Sequence, residues 1–318
     1  MSQDLPAEFA LIARHFRPLA GAAGLGLTDD AALLAPPPGR ELVLTVDTMV
    51  AGVHFLPEDP PDLLARKLLR VNLSDLAAKG AEPLGYLLAL SVPRATPEAW
   101  FAAFAAGLAQ DQAAFAIPLL GGDTTSTPGP VTLSLTALGH VGPGAMVRRA
   151  GARDGDGVFV TGTIGDAALG LLAARGDLAD PSGVLLGRYR LPTPRLGLVS
   201  SELVRAAMDI SDGLIQDLGH LCRAGGLGAE IGAARVPLSP AAAAAGPEQL
   251  RRCLTGGDDY ELLLAVAPEA EVPLTLAARA RHIPLACIGR FRAGPQTVMV
   301  IDVTGRAIPF GPGGWSHF

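Results

Sequence analysis

The chain alternates between two hydrophobic periods. Glu41–Asp47, Leu84–Val92 and Val131–His140 are apolar runs of strand length, whereas Asp62–Ala78 and Pro97–Ala114 repeat their apolar residues every three to four positions and read as helices. Thr96 is the expected N-cap of the second helix, with Pro97 at its first position. After Val141–Asp156, a stretch dense in Gly and Arg, the pattern resumes with a strand over Gly157–Thr161. Helices are expected over Ile164–Arg175, Pro194–Met208 and Gly213–Arg223, and strands over Glu261–Val266, Pro284–Gly289 and Thr297–Ile301. Pro240–Gly246, an alanine run, reads as a surface helix or loop. The order predicts an α/β (α+β) protein of two domains: a mixed sheet with flanking helices over residues 1–144, and a second α/β domain over 145–318.

Composition narrows the class. The chain has 318 residues, 49% of them hydrophobic, enough for two sizeable cores. Its net charge of −6, with no basic run, argues against nucleic acid as a partner. Cys222, Cys253 and Cys287 stand far apart with no zinc-like spacing and read as buried thiols of a reducing compartment. No apolar stretch has the length of a membrane span, and the N-terminus lacks a basic-then-apolar signal pattern, so a cytoplasmic protein is expected.

Against this charge-poor background, with 18% charged residues, acids recur beside Gly, Ser or Thr: Asp29-Asp30, Asp47, Asp75, Asp123, Asp209 with Asp212, and Asp258-Asp259. Carboxylates near apolar segments need compensation, and hard divalent cations such as Mg²⁺ take carboxylate, hydroxyl and phosphate oxygens. Each position also has a plainer reading. Asp47 ends an apolar strand, a common place for ligand-facing or turn residues. Asn72 and Asp75 share one face of a helix, where Asp is disfavoured by propensity. GGDTTSTPG offers glycine backbone and hydroxyls to a phosphate, or a Gly-Asp turn. In DISDGL, Asp209, Ser211 and Asp212 precede a helix whose N-terminus either receives an anion or is merely capped. The set points to metal-assisted phosphate chemistry more strongly than any member. The chain contains no GxxxxGK[ST], GxSxG, HExxH or kinase HRD and DFG signature.

DDAALL, TVDTMVAGVHF, VNLSDLAAKGAEP, GGDTT, RAGARDGD, DISDGLIQDLGH, GGDDYELL and the terminal GGWSHF together resemble the thiamine-monophosphate kinase family, within the ATP-binding superfamily that includes aminoimidazole ribonucleotide synthetase and selenophosphate synthetase. The resemblance implies phosphorylation of thiamine monophosphate by ATP, giving thiamine diphosphate. It implies that Asp30, Thr45, Asp47, Asp75, Asp123, Asp209 and Asp212 hold several Mg²⁺ ions. Gly121, Gly122, Arg149 and Ser211 would contact the nucleotide, and His54, Asp258 and Trp315 the thiamine side. It also implies a homodimer. Two positions depart from the family pattern: Val46 stands where Thr is common, and GGDDYEL replaces GGEDYEL, shortening the carboxylate at Asp258. Other ATP-dependent synthetases of the superfamily and a non-catalytic nucleotide-binding module are the alternatives. An ionised phosphate acceptor needs no general base, its second pKa being about 6. Direct in-line transfer is therefore expected, with no residue assigned as nucleophile or acid–base catalyst.

Overall fold

The structure, a computed structural model, describes residues 7–310 and 313–316. Two compact units are present. One comprises residues up to Leu76 together with Glu82–Gly144, the other Ala77–Ala81 together with Ala145 onward.

The first unit begins with a short helix, α1 (Ala7–Leu11), and irregular helical turns over Ile12–Leu27. Strand β1 (Glu41–Val50) follows, then helix α2 (Pro61–Ala78), β2 (Glu82–Pro93), α3 (Glu98–Phe115), β3 (Leu119–Thr127) and β4 (Thr132–Val141). The strands make a four-stranded sheet in the order β1-β4-β2-β3; β2 and β3 are parallel, joined through α3, and the other pairs are antiparallel. Val43 and Met49 are buried while Leu42, Leu44 and Val46 stand exposed, so β1 has one covered face and one bare apolar face. Leu64, Leu68, Leu73, Tyr86, Leu90, Phe104, Leu108 and Leu133 supply large buried side chains.

One alternative and one expectation fail here. GGDTTSTPG is not a Gly-Asp turn: most of it is strand β3, with Gly122 opposite Leu88 and Asp123 opposite Ala89. A Cβ on Gly122 would lie 1.8 Å from the Leu88 carbonyl oxygen, so this glycine is required by close strand–strand approach. Thr96 does not cap α3; the capping position is Pro97, in extended conformation with no side-chain cap, and the helix starts at Glu98.

The second unit contains β5 (Gly157–Thr161), α4 (Asp166–Arg175), α5 (Val184–Arg190), β6 (Ala206–Asp209), α6 (Leu214–Gly225), β7 (Gly228–Gly232), α7 (Pro240–Ala244), α8 (Leu250–Thr255), β8 (Leu262–Val266), α9 (Glu271–Ala280), β9 (Leu285–Arg292) and β10 (Val298–Ile301). Its six strands run in the order β10-β7-β9-β5-β8-β6, antiparallel except for β10 with β7. Apolar clusters pack on both faces: Met208, Leu218, Leu221, Ile231 and Phe291 in one, Phe159, Val204, Leu264 and Leu274 in the other. The helix expected over Pro194–Met208 is absent. That stretch is turns followed by β6, whose four residues are all buried and pair with β8, so sheet burial overrides the helix propensity of its alanines.

Cys222 and Cys253 are buried, and burial pushes each thiol up to about 11; Cys287 is partly exposed, and none is paired. Among the described residues no helix is long and apolar enough to cross a membrane.

Candidate functional site

In the first unit, strand alternation turns Thr45 and Asp47 to the covered face of β1, while α2 presents Asp75 one turn before its end. The Thr45 hydroxyl donates a short hydrogen bond to Asp75 Oδ2. Burial, with a smaller contribution from the charge of Asp75, pushes the Asp47 carboxyl up to about 7. Both acids are half-buried, and the charge of Asp75 opposes the ionisation of Asp47. A hard cation fits this donor set of two carboxylates and a hydroxyl. Asn72, one turn before Asp75, is fully buried; its amide donates to the Leu68 carbonyl and its Oδ1 has no hydrogen-bond partner.

Asp30 and Asp123 come together elsewhere in this unit. With Asp29, Gly121 and Gly122 they line a cavity of about 720 Å³ whose other walls include Phe16, Leu27 and Leu90. That size and mixture suit a small organic ligand with a charged end. His54 lies in the turn after β1, where its Nδ1 accepts the backbone N–H of Val50 at 3.0 Å. A backbone N–H only donates, so the proton of the neutral ring sits on Nε2.

In the second unit Asp209 ends β6, and the loop from there to α6 carries Ser211 and Asp212. Asp209 is buried. The loop is shaped by a residue the sequence reading passed over: Asp217 Oδ2 accepts the backbone N–H groups of Ser211, Asp212 and Gly213 at 3.0, 3.0 and 3.1 Å. The available signal was an acid in the first turn of a helix that starts from a glycine. Burial, opposed by these backbone bonds, pushes Asp217 up to about 7. The loop's carbonyls are used too, since Ser211 O accepts from Asp258 N at 2.9 Å and Asp212 O from Trp315 N at 3.0 Å.

His220 also joins this cluster. Suitable ligand atoms of Asp212, Asp217 and His220 lie within 4.8 Å of one another. His220 Nδ1 faces Arg223 Nη2 at 3.0 Å, and a guanidinium has only protons to offer, so Nδ1 accepts. Burial first, then the charges of Arg223 and Arg149, lower the pKa of His220. It is a neutral ring, and the exposed Arg149 lies near enough for its charge to act on it.

Asp258 and Asp259 diverge. Asp258 is half-buried with φ +73°, and Tyr260 has φ +49°, a pair of left-handed non-glycine residues of the kind that clusters at binding sites. Asp259 between them is buried and accepts the N–H groups of Gly165 (2.7 Å) and Ala167 (3.3 Å) at the start of α4, so its task is structural. Trp315 is half exposed; His317 and Phe318, which close the GGWSHF motif, lie outside the described residues.

The chain matches the family described as AIR synthase related protein, with the N-terminal domain at residues 28–141 and the C-terminal domain at 153–302. It is similar to thiamine-monophosphate kinase of Caulobacter vibrioides, 46% identical over 98% of this chain and 91% of the relative. A crystal structure of thiamine-monophosphate kinase from Stenotrophomonas maltophilia matches with TM-score 0.83 at 42% identity, covering 95% of this chain and 98% of the other. AaThiL, in a structure complexed with AMPPCP and TMP, matches with TM-score 0.77 at 31% identity over 98% and 97% of the two chains.

Proposed function

The chain belongs to the thiamine-monophosphate kinase family of AIR synthase related proteins, and on that premise we propose how its residues serve ATP-dependent phosphorylation of thiamine monophosphate. The observation that carries the reading is the Thr45–Asp47–Asp75 group: two carboxylates, the charge of Asp75 opposing the ionisation of Asp47, with Asp75 tied by a hydrogen bond to Thr45. Asp47, Asp75 and Thr45, with Asp30, Asp123, Asp209 and Asp212, are the residues that would hold Mg²⁺. Bound there, Mg²⁺ would supply charge neutralisation between the two anionic phosphates and fix their in-line approach.

The chain's own groups divide the remaining work. Gly121 and Gly122 bring backbone close to the cavity that Asp30 and Asp123 line, and with Ser211 and Arg149 they serve the nucleotide. Arg149 is the one cation in that set, suited to a phosphate oxygen. His54 offers Nε2–H to the acceptor, while Asp258 and Trp315 receive the thiamine, Trp315 stacking on its cationic or aromatic ring. The acceptor phosphate is already ionised at neutral pH, so transfer is direct and no side chain is phosphorylated.

A homodimer is part of this proposal. Leu44, Val46 and Leu87 are 60%, 60% and 40% exposed, and Val46 and Leu87 flank Thr136 across the sheet, which leaves large apolar side chains on an exposed face suited to a second copy. A cytoplasmic location accords with three unpaired thiols. The test is incubation of the folded protein with ATP, Mg²⁺ and thiamine monophosphate. Thiamine diphosphate and ADP in equal amounts are expected; ADP formed only with another acceptor would move the chain to a sister activity.

A further inference from the structure

Gln216, half-buried in the first turn of α6, lies between two groups that the proposed function puts to different uses. Its Nε2 donates to the Trp315 carbonyl at 2.6 Å and reaches Asp212 Oδ2 at 3.3 Å. The Trp315 N–H donates in turn to the Asp212 carbonyl at 3.0 Å, so the backbone of the tail residue is held at both its amide and its carbonyl by residues 212 and 216. The approach is tight. A Cβ on Gly314, whose φ is +117°, would meet Gln216 Oε1 at 2.1 Å, and one on Gly313 would meet the Thr255 methyl at 2.6 Å. The tail can therefore cross α6 and the end of α8 at this depth only because both positions are glycine.

We infer that Gln216 is a positioning residue for the acceptor: it seats the tail so that Trp315 is presented at a fixed distance from the Asp212 loop. The inference rests on the reading of Trp315 as a thiamine-side residue. Gln216 holds the tail through its main chain, at the Trp315 carbonyl. Replacing it removes the side-chain hydrogen bond to the Trp315 carbonyl and leaves the backbone bond from Trp315 N–H to Asp212, while Asp217 is committed to the loop's own N–H groups. Its contact with the Asp212 carboxylate, at 3.3 Å, is the longer of its two, and its contact with the tail, at 2.6 Å, the shorter, so its loss should weaken acceptor binding most.

The experiment compares Gln216→Ala, Trp315→Ala and the double variant by steady-state kinetics with ATP, Mg²⁺ and thiamine monophosphate. Gln216→Ala is expected to raise the KM for thiamine monophosphate about tenfold, leaving kcat and the KM for ATP near wild type. In the Trp315→Ala background it should add nothing, because it acts through that residue. A raised KM in Trp315→Ala with none in Gln216→Ala, or additive losses, would overturn the inference alone. An unchanged KM in Trp315→Ala would overturn the assignment of Trp315 and the inference with it. Acrylamide quenching of Trp315 fluorescence in a Trp100→Phe background reads tail docking without turnover. Greater quenching in Gln216→Ala is expected, and equal quenching would sink the inference even if the wild type proved not to be a kinase.

Discussion

Asp75 in the first unit and Asp259 in the second are both acids in apolar surroundings, and they are solved in opposite ways. Asp259 has two backbone N–H groups aimed at its carboxylate and holds α4 in place. Asp75 has a threonine hydroxyl and, nearby, a second carboxylate that its charge makes harder to ionise. An acid given donors by its own chain is part of the scaffold. An acid set against another acid is completed by something from outside.

Three experiments press on that contrast. Asp75→Asn keeps the shape of the side chain and removes its charge, so turnover should fall by 100-fold or more while the fold persists, as expected when an electrostatic contribution of several kcal/mol is lost. Retained kcat at saturating Mg²⁺ would erase the distinction. Asp259→Ala should do the reverse: about 1–3 kcal/mol of stability lost on denaturant titration, because two buried N–H groups lose their acceptor, with turnover per folded molecule little changed. The smallest effect concerns pH. The Asp47 carboxyl is held at about 7 in the folded chain, well above its unfolded value near 4. The folded state binds the extra proton in that window, so this group's contribution to stability is present below the unfolded pKa and lost as pH rises through about 7. Without divalent cations, the wild type should therefore lose thermal stability relative to Asp47→Asn between pH 5 and pH 8. A constant difference between the two would mean Asp47 titrates as an ordinary surface acid.

Much of the architecture was legible. Gly157–Thr161 appears as read, and the strands and helices of the first unit shift by only a few residues at their ends, because each carries a one-sided or fully apolar pattern. β6 was not legible, since AAMD has the composition of a helix and becomes strand only through its pairing with β8. The Gly-Gly-Asp segment looked like a turn because glycine signals turns, whereas here it lets β3 approach β2. The acids themselves were easy to find and hard to sort. Asp258 and Asp259 are neighbours in sequence, yet in the fold one is half-buried at φ +73° and the other is buried with its carboxyl on the start of α4. Asp217 escaped notice because it sits inside a helix, away from the Gly, Ser and Thr residues that marked the rest.

The raised pKa of Asp47 has a calorimetric consequence. A cation that settles between Asp47 and Asp75 near neutral pH must expel a fraction of a proton into the surrounding buffer. The apparent heat of magnesium binding should then change with the ionisation enthalpy of the buffer chosen. The slope of that dependence counts the protons released, giving a measure of site assembly that needs neither nucleotide nor turnover.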